Sequence, residues 1–189
     1  MMSGKEALRL LAQARTNEVV VTHMSSVKEW PLVSTREELD LPLMQCMGKA
    51  SSVALGIALA RPDRRVLVLD GDGSLLTNLG SLVTIAAAAP ANLVHFVLEN
   101  GTYDVTGGQP IPNAGTVDFA GLALEAGYRG AYEFDDLAEF AAALPSILAE
   151  EGPLLACLKV EPGWATAPFP QRLTVSAFKE VAAALAREQ

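Results

Sequence analysis

The sequence predicts an α/β fold, a parallel β-sheet with helices on both faces. Short apolar runs alternate with longer helical segments along the chain, as in βαβ units. The runs are continuously apolar, which is typical of strands buried on both faces of a sheet. Half of the 189 residues are hydrophobic and 19% are charged, which excludes intrinsic disorder. Since no repeat or low-complexity linker is visible, we expect residues 1–189 to form a single domain.

The first half of the chain begins with a capping box. Ser3 and Glu6 open a helix that we expect to extend to about Arg15. The elements predicted next are a buried strand over 18–22, a short helix over 24–30 ended by Pro31, a polar acidic segment to about Asp40, and a small-residue helix over 48–60.

The second half continues the alternation. A strand over 65–69 leads into Gly71-Asp72-Gly73, and one helix is expected over 74–88. The elements predicted after it are a strand over 92–98, a Gly/Thr/Pro-rich loop over 100–115, a helix over 118–126, a strand over 131–134, a helix capped by Asp135 and reaching 150, a strand over 153–160 and a terminal helix over 174–187.

Composition excludes several classes of function. The net charge of −8 argues against a nucleic-acid surface, which needs a basic stripe. The two cysteines, Cys46 and Cys157, belong to no Cys/His cluster, so structural zinc and iron–sulfur sites are not expected. The N-terminus does not resemble a signal peptide and no apolar run could span a bilayer, so we expect a cytoplasmic protein without a membrane partner.

Two polar motifs follow two predicted strands. Gly71-Asp72-Gly73-Ser74 joins a strand to a helix, so free N–H groups of the helix and the Asp72 carboxylate are placed together. Glu99-Asn100-Gly101-Thr102-Tyr103 follows the next strand, one βαβ crossover later. A carboxylate beside a diphosphate would repel it unless a divalent cation lay between them. The alternatives are a plain strand–turn–helix with Asp72 as a cap, and an ordinary Asn-Gly turn.

This pair of motifs resembles the signature of the thiamine diphosphate (ThDP)-dependent enzymes. The resemblance implies a diphosphate-binding domain in which Mg²⁺ is held by Asp72, Asn100 and the Thr102 carbonyl. Glu99 stands where the family usually has the first of two asparagines, a position that is not a metal ligand. The cofactor-binding residues implied at these two motifs are Gly71, Asp72, Gly73, Ser74, Asn100, Thr102 and Tyr103.

The resemblance extends upstream. Met47 matches the bulky residue that holds the cofactor in its bent shape, and the Gln45 carbonyl would accept from its amino group. As a pattern in the sequence alone, a residue such as Met47 is more often simply part of the core. The predicted first strand end places Thr22, His23 and Ser25 where the family contacts the diphosphate, and His23 is also a candidate catalytic residue.

The downstream loop narrows the resemblance. Thr106-Gly107-Gly108-Gln109-Pro110 is similar to the loop of phosphonopyruvate decarboxylases and of the second subunit of sulfopyruvate decarboxylases. Both groups of enzymes act on small 2-oxoacids that carry a second acidic group. Asp104 and Val105 depart from the usual residues of this loop. The resemblance therefore implies a subunit of a 2-oxoacid decarboxylase; the alternatives are a subunit of another ThDP-dependent lyase or synthase, and a cofactor-binding module without turnover.

The family also requires a glutamate that activates the cofactor's pyrimidine ring and comes from a separate pyrimidine-binding domain. The resemblance covers only the diphosphate-binding half, and we therefore expect a partner subunit to supply this glutamate. Catalytic cores of this family pair such domains around a two-fold axis. We therefore expect the chain to self-associate into a dimer or a larger assembly as well.

Overall fold

The computed structural model describes residues 1–172 and 174–187. A six-stranded sheet forms its centre, and every strand pair in that sheet is parallel. The strands of the sheet are β1 (Val19–His23), β2 (Asp40–Leu43), β3 (Val66–Gly71), β4 (Leu93–Glu99), β7 (Gly130–Phe134) and β8 (Leu154–Lys159). Their spatial order is β2-β1-β3-β4-β8-β7. The predicted fold class is therefore confirmed.

Helices cover both faces of this sheet. They are α1 (Gly4–Ala14), α2 (Ser25–Glu29), α3 (Ala50–Ala60), α4 (Asp72–Leu76), α5 (Ser81–Ala88), α6 (Phe119–Ala126), α7 (Leu137–Ala149) and α8 (Thr174–Arg187). One core packs α3, α5, α6 and α8 against strand residues such as Val66 and Val68. The other packs α1 and α7 against the alternate residues, such as Leu67 and Leu69. Because alternate residues of each strand pack in different cores, both faces of these strands are apolar, and their sequences are continuously apolar.

The sheet contains a strand that the sequence did not predict. β2 lies in the stretch that follows the predicted polar segment, and Pro42 at its third position argues against a central strand. The strand occupies the edge of the sheet, where the missing N–H of a proline costs no ladder bond. Its buried Asp40 is paired with Arg15 at 2.7 Å.

The prediction of one continuous helix over 74–88 is wrong. This segment is divided into α4 and α5 by a turn over 77–80. In this turn the Asn78 amide donates to the carbonyl of Gly48, just before α3, at 2.8 Å. Gly80 is the N-cap of α5.

Two smaller predictions also need correction. The loop predicted over 100–115 contains a short hairpin, in which β5 (Thr102–Tyr103) pairs antiparallel with β6 (Gln109–Pro110). The cap of α7 is Asp136 rather than Asp135, because the Asp136 carboxylate accepts the N–H groups of Ala138 and Glu139 at 2.8 and 3.0 Å. Ser3 caps α1 as predicted. No helix among the described residues has the length and apolarity needed to cross a bilayer.

Candidate functional site

The carboxyl ends of β1, β3 and β4 lie side by side, since these strands are neighbours in the sheet. Together with the loop after β4 they bound a cleft. The two polar motifs and the segment at the first strand end, each predicted to follow a strand, therefore do meet. The cleft is lined by His23, Met24, Ser25, Ser26, Met47, Asp70, Gly71, Asp72, Gly73, Ser74, Leu98, Asn100, Thr102, Tyr103, Asp104, Val105 and Trp164.

Asp72 begins α4 and is only 2% exposed. Its Oδ1 accepts from the Gly73 N–H at 2.7 Å, and its Oδ2 accepts from the N–H groups of Asn100 and Gly101 at 3.1 and 2.7 Å. Burial raises the pKa of Asp72 to about 6, and the three N–H donors, which favour the charged form, limit the rise. The carboxylate is thus held in a fixed orientation by partners that carry no formal positive charge.

The loop after β4 is organised by side-chain hydrogen bonds. The Oδ1 of Asn100 accepts from the backbone N–H of Thr102 at 2.9 Å, and its Nδ2 donates to Asp104 at 2.7 Å. The Thr102 hydroxyl donates to the other Asp104 oxygen at 2.5 Å. Oxygen atoms from two strand ends are therefore concentrated at one edge of the cleft, and such hard ligands suit Mg²⁺.

His23 closes β1 and is 1% exposed. Its Nδ1 lies 2.8 Å from the Leu43 carbonyl oxygen, which can only accept, so Nδ1 carries a hydrogen in this contact. Its Nε2 is buried without a hydrogen-bond partner, while the residue lines the cleft. The following turn is fixed by Ser26, whose hydroxyl donates to the Leu69 carbonyl at 2.7 Å. Met24 in this turn has a φ of +54°, which is strained for a non-glycine residue.

A second, mainly apolar cavity adjoins the cleft. It is lined by His23, Met24, Leu43, Met44, Gln45, Met47, Val105, Thr106 and Phe169. Met47 lines both spaces, and the Gly48 N–H that follows it donates to Ser74 at 3.0 Å. Gln45 has a φ of +59°, again in the left-handed region. A ligand with a polar end and an apolar end would fit the two spaces together.

The charges around the cleft are of one sign. Its described lining includes three aspartates, Asp70, Asp72 and Asp104, but neither lysine nor arginine. An anionic group would be repelled here unless a cation accompanied it. The donor set therefore fits a divalent cation bound together with an anion.

Most of the predicted site residues line the cleft, but not all. Gln45 lines only the apolar cavity. Thr22 is absent from the described lining of either space. Because side chains alternate along a strand, Thr22 lies on the same face of the sheet as Val20, which packs in the core with α1 and α7. A Cβ atom on Gly73 would lie 2.6 Å from the Tyr103 ring. The close packing of Tyr103 therefore explains why residue 73 is a glycine.

Two aromatic residues at the site were not predicted from the sequence. Trp164 is buried against Gly4 of α1 and lines the cleft. Phe169 is 46% exposed and lines the apolar cavity. Both lie after β8, in a segment that Glu29 anchors by accepting the N–H groups of Thr166 and Ala167 at 2.6 and 2.8 Å. No local pattern connects residues so distant in sequence to the strand ends.

Glu99, where the family usually has an asparagine, does not appear in the lining of either space. It is buried and accepts from the Cys157 thiol at 3.1 Å. Burial and this carboxylate raise the pKa of Cys157. The substitution therefore changes contacts between β4 and β8, although the Glu99 charge also contributes to the raised pKa of Asp72.

Residues 21–156 match the family described as "Thiamine pyrophosphate enzyme, C-terminal TPP binding domain". The chain belongs to this family. Thiamine pyrophosphate is another name for ThDP, so the predicted family is confirmed. The match includes both motifs of the cleft, Gly71-Asp72-Gly73 and Glu99-Asn100, and the segment around Met47.

Two curated relatives of this TPP-binding domain have named activities. A phosphonopyruvate decarboxylase of Streptomyces viridochromogenes is 43% identical over 156 residues, which are 82% of this chain but 38% of the relative. The sulfopyruvate decarboxylase subunit beta of Methanothermobacter thermautotrophicus is 38% identical over 169 residues, covering 89% of this chain and 87% of the relative. The chain thus spans well under half of the first relative and nearly all of the second.

Solved structures agree in fold. The crystal structure of benzoylformate decarboxylase from Polynucleobacter necessarius superposes with a TM-score of 0.72 over 84% of this chain and 33% of its own, at 18% sequence identity. At this identity the likeness concerns the fold. The superposed region is about a third of that protein's chain.

Proposed function

We propose that this chain is the ThDP- and Mg²⁺-binding subunit of a two-subunit 2-oxoacid decarboxylase. The observation that carries the proposal is a cleft with three aspartates and no lysine or arginine in its described lining, at the strand ends of a TPP-binding domain. A diphosphate can bind there when a divalent cation neutralises it. We further propose that residues 1–189 form one domain, since both cores pack on the same sheet.

Three residues are proposed to hold the cation: Asp72 through its carboxylate, Asn100 through Oδ1, and Thr102 through its carbonyl oxygen. The proposal is supported by the Asp72 hydrogen bonds that fix the turn carrying the other two. Phosphate oxygens would supply further ligands. The backbone of Gly71 and Gly73 and the side chains of Ser25, Ser74 and Tyr103 lie around the same cleft and are proposed diphosphate contacts.

His23 is proposed as a further diphosphate contact. Its Nδ1 hydrogen is directed to the Leu43 carbonyl, so Nε2 donates to a phosphate oxygen once it also carries a proton. The apolar cavity is proposed to take the organic part of the cofactor, with Met47 supporting it and the Gln45 carbonyl accepting from its amino group. Bound ThDP supplies a carbon nucleophile for the substrate carbonyl and an electron sink for loss of CO₂.

A partner is proposed to complete the site. The relative that this chain matches over nearly its full length is named as a beta subunit, and the phosphonopyruvate decarboxylase is more than twice as long as the matched region. The missing part in the split arrangement would be a pyrimidine-binding subunit carrying the activating glutamate. Self-association of this chain, into a dimer or larger, would generate paired sites. The proposed substrate is a small 2-oxoacid with a second acidic group, sulfopyruvate or phosphonopyruvate.

The experiment is a decarboxylation assay with a panel of 2-oxoacids. The chain is assayed alone and coexpressed with a candidate partner, a short neighbouring gene product that contains the family's glutamate. We expect turnover that requires both chains, ThDP and Mg²⁺. Full ThDP-dependent turnover by the lone chain would contradict the split site. Carboligation without decarboxylation would instead identify a synthase subunit, and binding without any turnover by the pair would identify a cofactor-binding module.

A further inference from the structure

Asp104 joins three parts of the structure through one carboxylate. Its Oδ2 accepts from Asn100 Nδ2 at 2.7 Å and from the Gly163 N–H at 2.9 Å. Its Oδ1 accepts from the Thr102 hydroxyl at 2.5 Å. Two of these donors belong to residues proposed to hold the cation. The third belongs to the segment after β8, which also brings Trp164 to the cleft.

The contact with Asn100 determines which edge of its amide faces a cation. A carboxylate only accepts hydrogen bonds, so the NH₂ group of Asn100 must face Asp104. Oδ1 is then on the opposite edge, where it accepts from the Thr102 N–H. A flipped amide would set two oxygens against each other at Asp104 and would present an NH₂ group, which cannot bind a cation.

We infer that Asp104 is a positioning residue for the cation site, acting through Asn100 and the Thr102 turn. The inference rests on the proposed function. Partners behind a metal ligand both orient it and increase its electron density, and their loss typically costs about 10- to 100-fold in metal affinity. The carboxylate of Asp104 is placed to do this for Asn100, with a charge-assisted bond to the amide nitrogen.

The charge of Asp104 has a second consequence. It adds to the negative charges of Asp70 and Asp72 in a cleft proposed to receive a diphosphate. When no cation is present, this charge opposes diphosphate binding. Asp104 should therefore increase the dependence of ThDP binding on Mg²⁺ in both directions, by strengthening binding with the metal and weakening it without.

The test compares Asp104→Asn with a matched control, Asp118→Asn. An asparagine at 104 offers both a donor and an acceptor, so it no longer decides which edge Asn100 presents. Asp118 caps α6, where it accepts the Gly121 N–H at 2.7 Å, and it does not line the cleft. ThDP is titrated into each full chain in EDTA and over a range of Mg²⁺ concentrations, followed by calorimetry. Asp104→Ser is a second variant without the charge, for use if the asparagine variant does not fold.

We expect the half-saturating Mg²⁺ concentration to rise about 10- to 100-fold in Asp104→Asn, with tighter ThDP binding in EDTA. Asp118→Asn should match the wild type in both conditions. An equal loss of affinity with and without Mg²⁺, or an unchanged Mg²⁺ requirement, would overturn the role of Asp104. Wild-type ThDP affinity that does not respond to Mg²⁺ would contradict the proposed function itself, so the two failures are distinguishable.

Discussion

The Asp72 carboxylate accepts the backbone N–H of Gly101 at 2.7 Å, which joins the end of β3 to the turn after β4. Gly101 has a φ of +73°, a conformation that glycine adopts without strain. The same carboxylate therefore fixes the turn carrying Asn100 and is itself proposed to bind the cation. The buried charge of Asp72 should therefore lower the stability of the ligand-free chain and strengthen Mg²⁺-dependent ThDP binding.

The first prediction concerns ligand-free stability. The pKa of Asp72 is raised from 3.8 to about 6, mainly by burial. A group whose pKa is higher in the folded chain adds stability at pH values below the unfolded pKa, and this contribution is lost as pH rises through about 6. The rise corresponds to about 3 kcal/mol. The free energies of unfolding of wild type and Asp72→Asn are measured with urea in EDTA. We expect the difference, wild type minus variant, to fall by up to that amount between about pH 4 and about pH 7. A constant difference would contradict the assignment.

The second prediction concerns Met47, which is only partly buried and lines both cavities. Met47→Ala should lose less than the roughly 2–5 kcal/mol of a fully buried Met→Ala change, but it should lower turnover of the assembled enzyme. Leu82→Ala is the control, since Leu82 is buried in the core that packs α3, α5, α6 and α8 against the sheet. Urea midpoints and activity per folded molecule are compared. A Met47 variant as unstable as the Leu82 variant, and active in proportion to its folded fraction, would make Met47 a core residue.

The third prediction concerns His23. In His23→Asn the new amide can still donate to the Leu43 carbonyl, while the buried ring nitrogen without a partner is lost. A hydrogen bond to a charged group contributes about 1.5–3 kcal/mol, so ThDP affinity in Mg²⁺ should fall roughly 10- to 100-fold. Asp118→Asn is the control, because Asp118 caps α6 and does not line the cleft. It should leave the ThDP affinity of the folded chain unchanged. Unaltered affinity in His23→Asn would remove His23 from the site.

Local patterns were sufficient for most of the fold. The apolar runs that became β3 and β4 are buried on both faces, so their sequence signal is continuous and unambiguous. β2 was missed because it is short and contains Pro42, which is acceptable only at the sheet edge. The break between α4 and α5 was missed because it depends on a tertiary contact, the bond from Asn78 to Gly48.

The same distinction applies to the site. Asp72 and Asn100 were predictable because each directly follows an apolar strand, and parallel strands deliver their carboxyl ends to one edge. Asp104 was noted only as a departure from the family loop; its contacts with Asn100 and Gly163 appear only in three dimensions. Trp164 was unpredictable as a lining residue, because its position depends on how the chain returns after β8.

The most direct test of the account is titration of ThDP, with and without Mg²⁺, into the wild-type chain and into Asp72→Ala. A cation that bridges Asp72 and the diphosphate is proposed to hold the cofactor. We expect Mg²⁺ to strengthen ThDP binding to the wild type by at least about tenfold, on the scale of a lost metal ligand or its support, and to have little effect on Asp72→Ala. Equal ThDP affinities for the two proteins in both conditions would contradict the central claim.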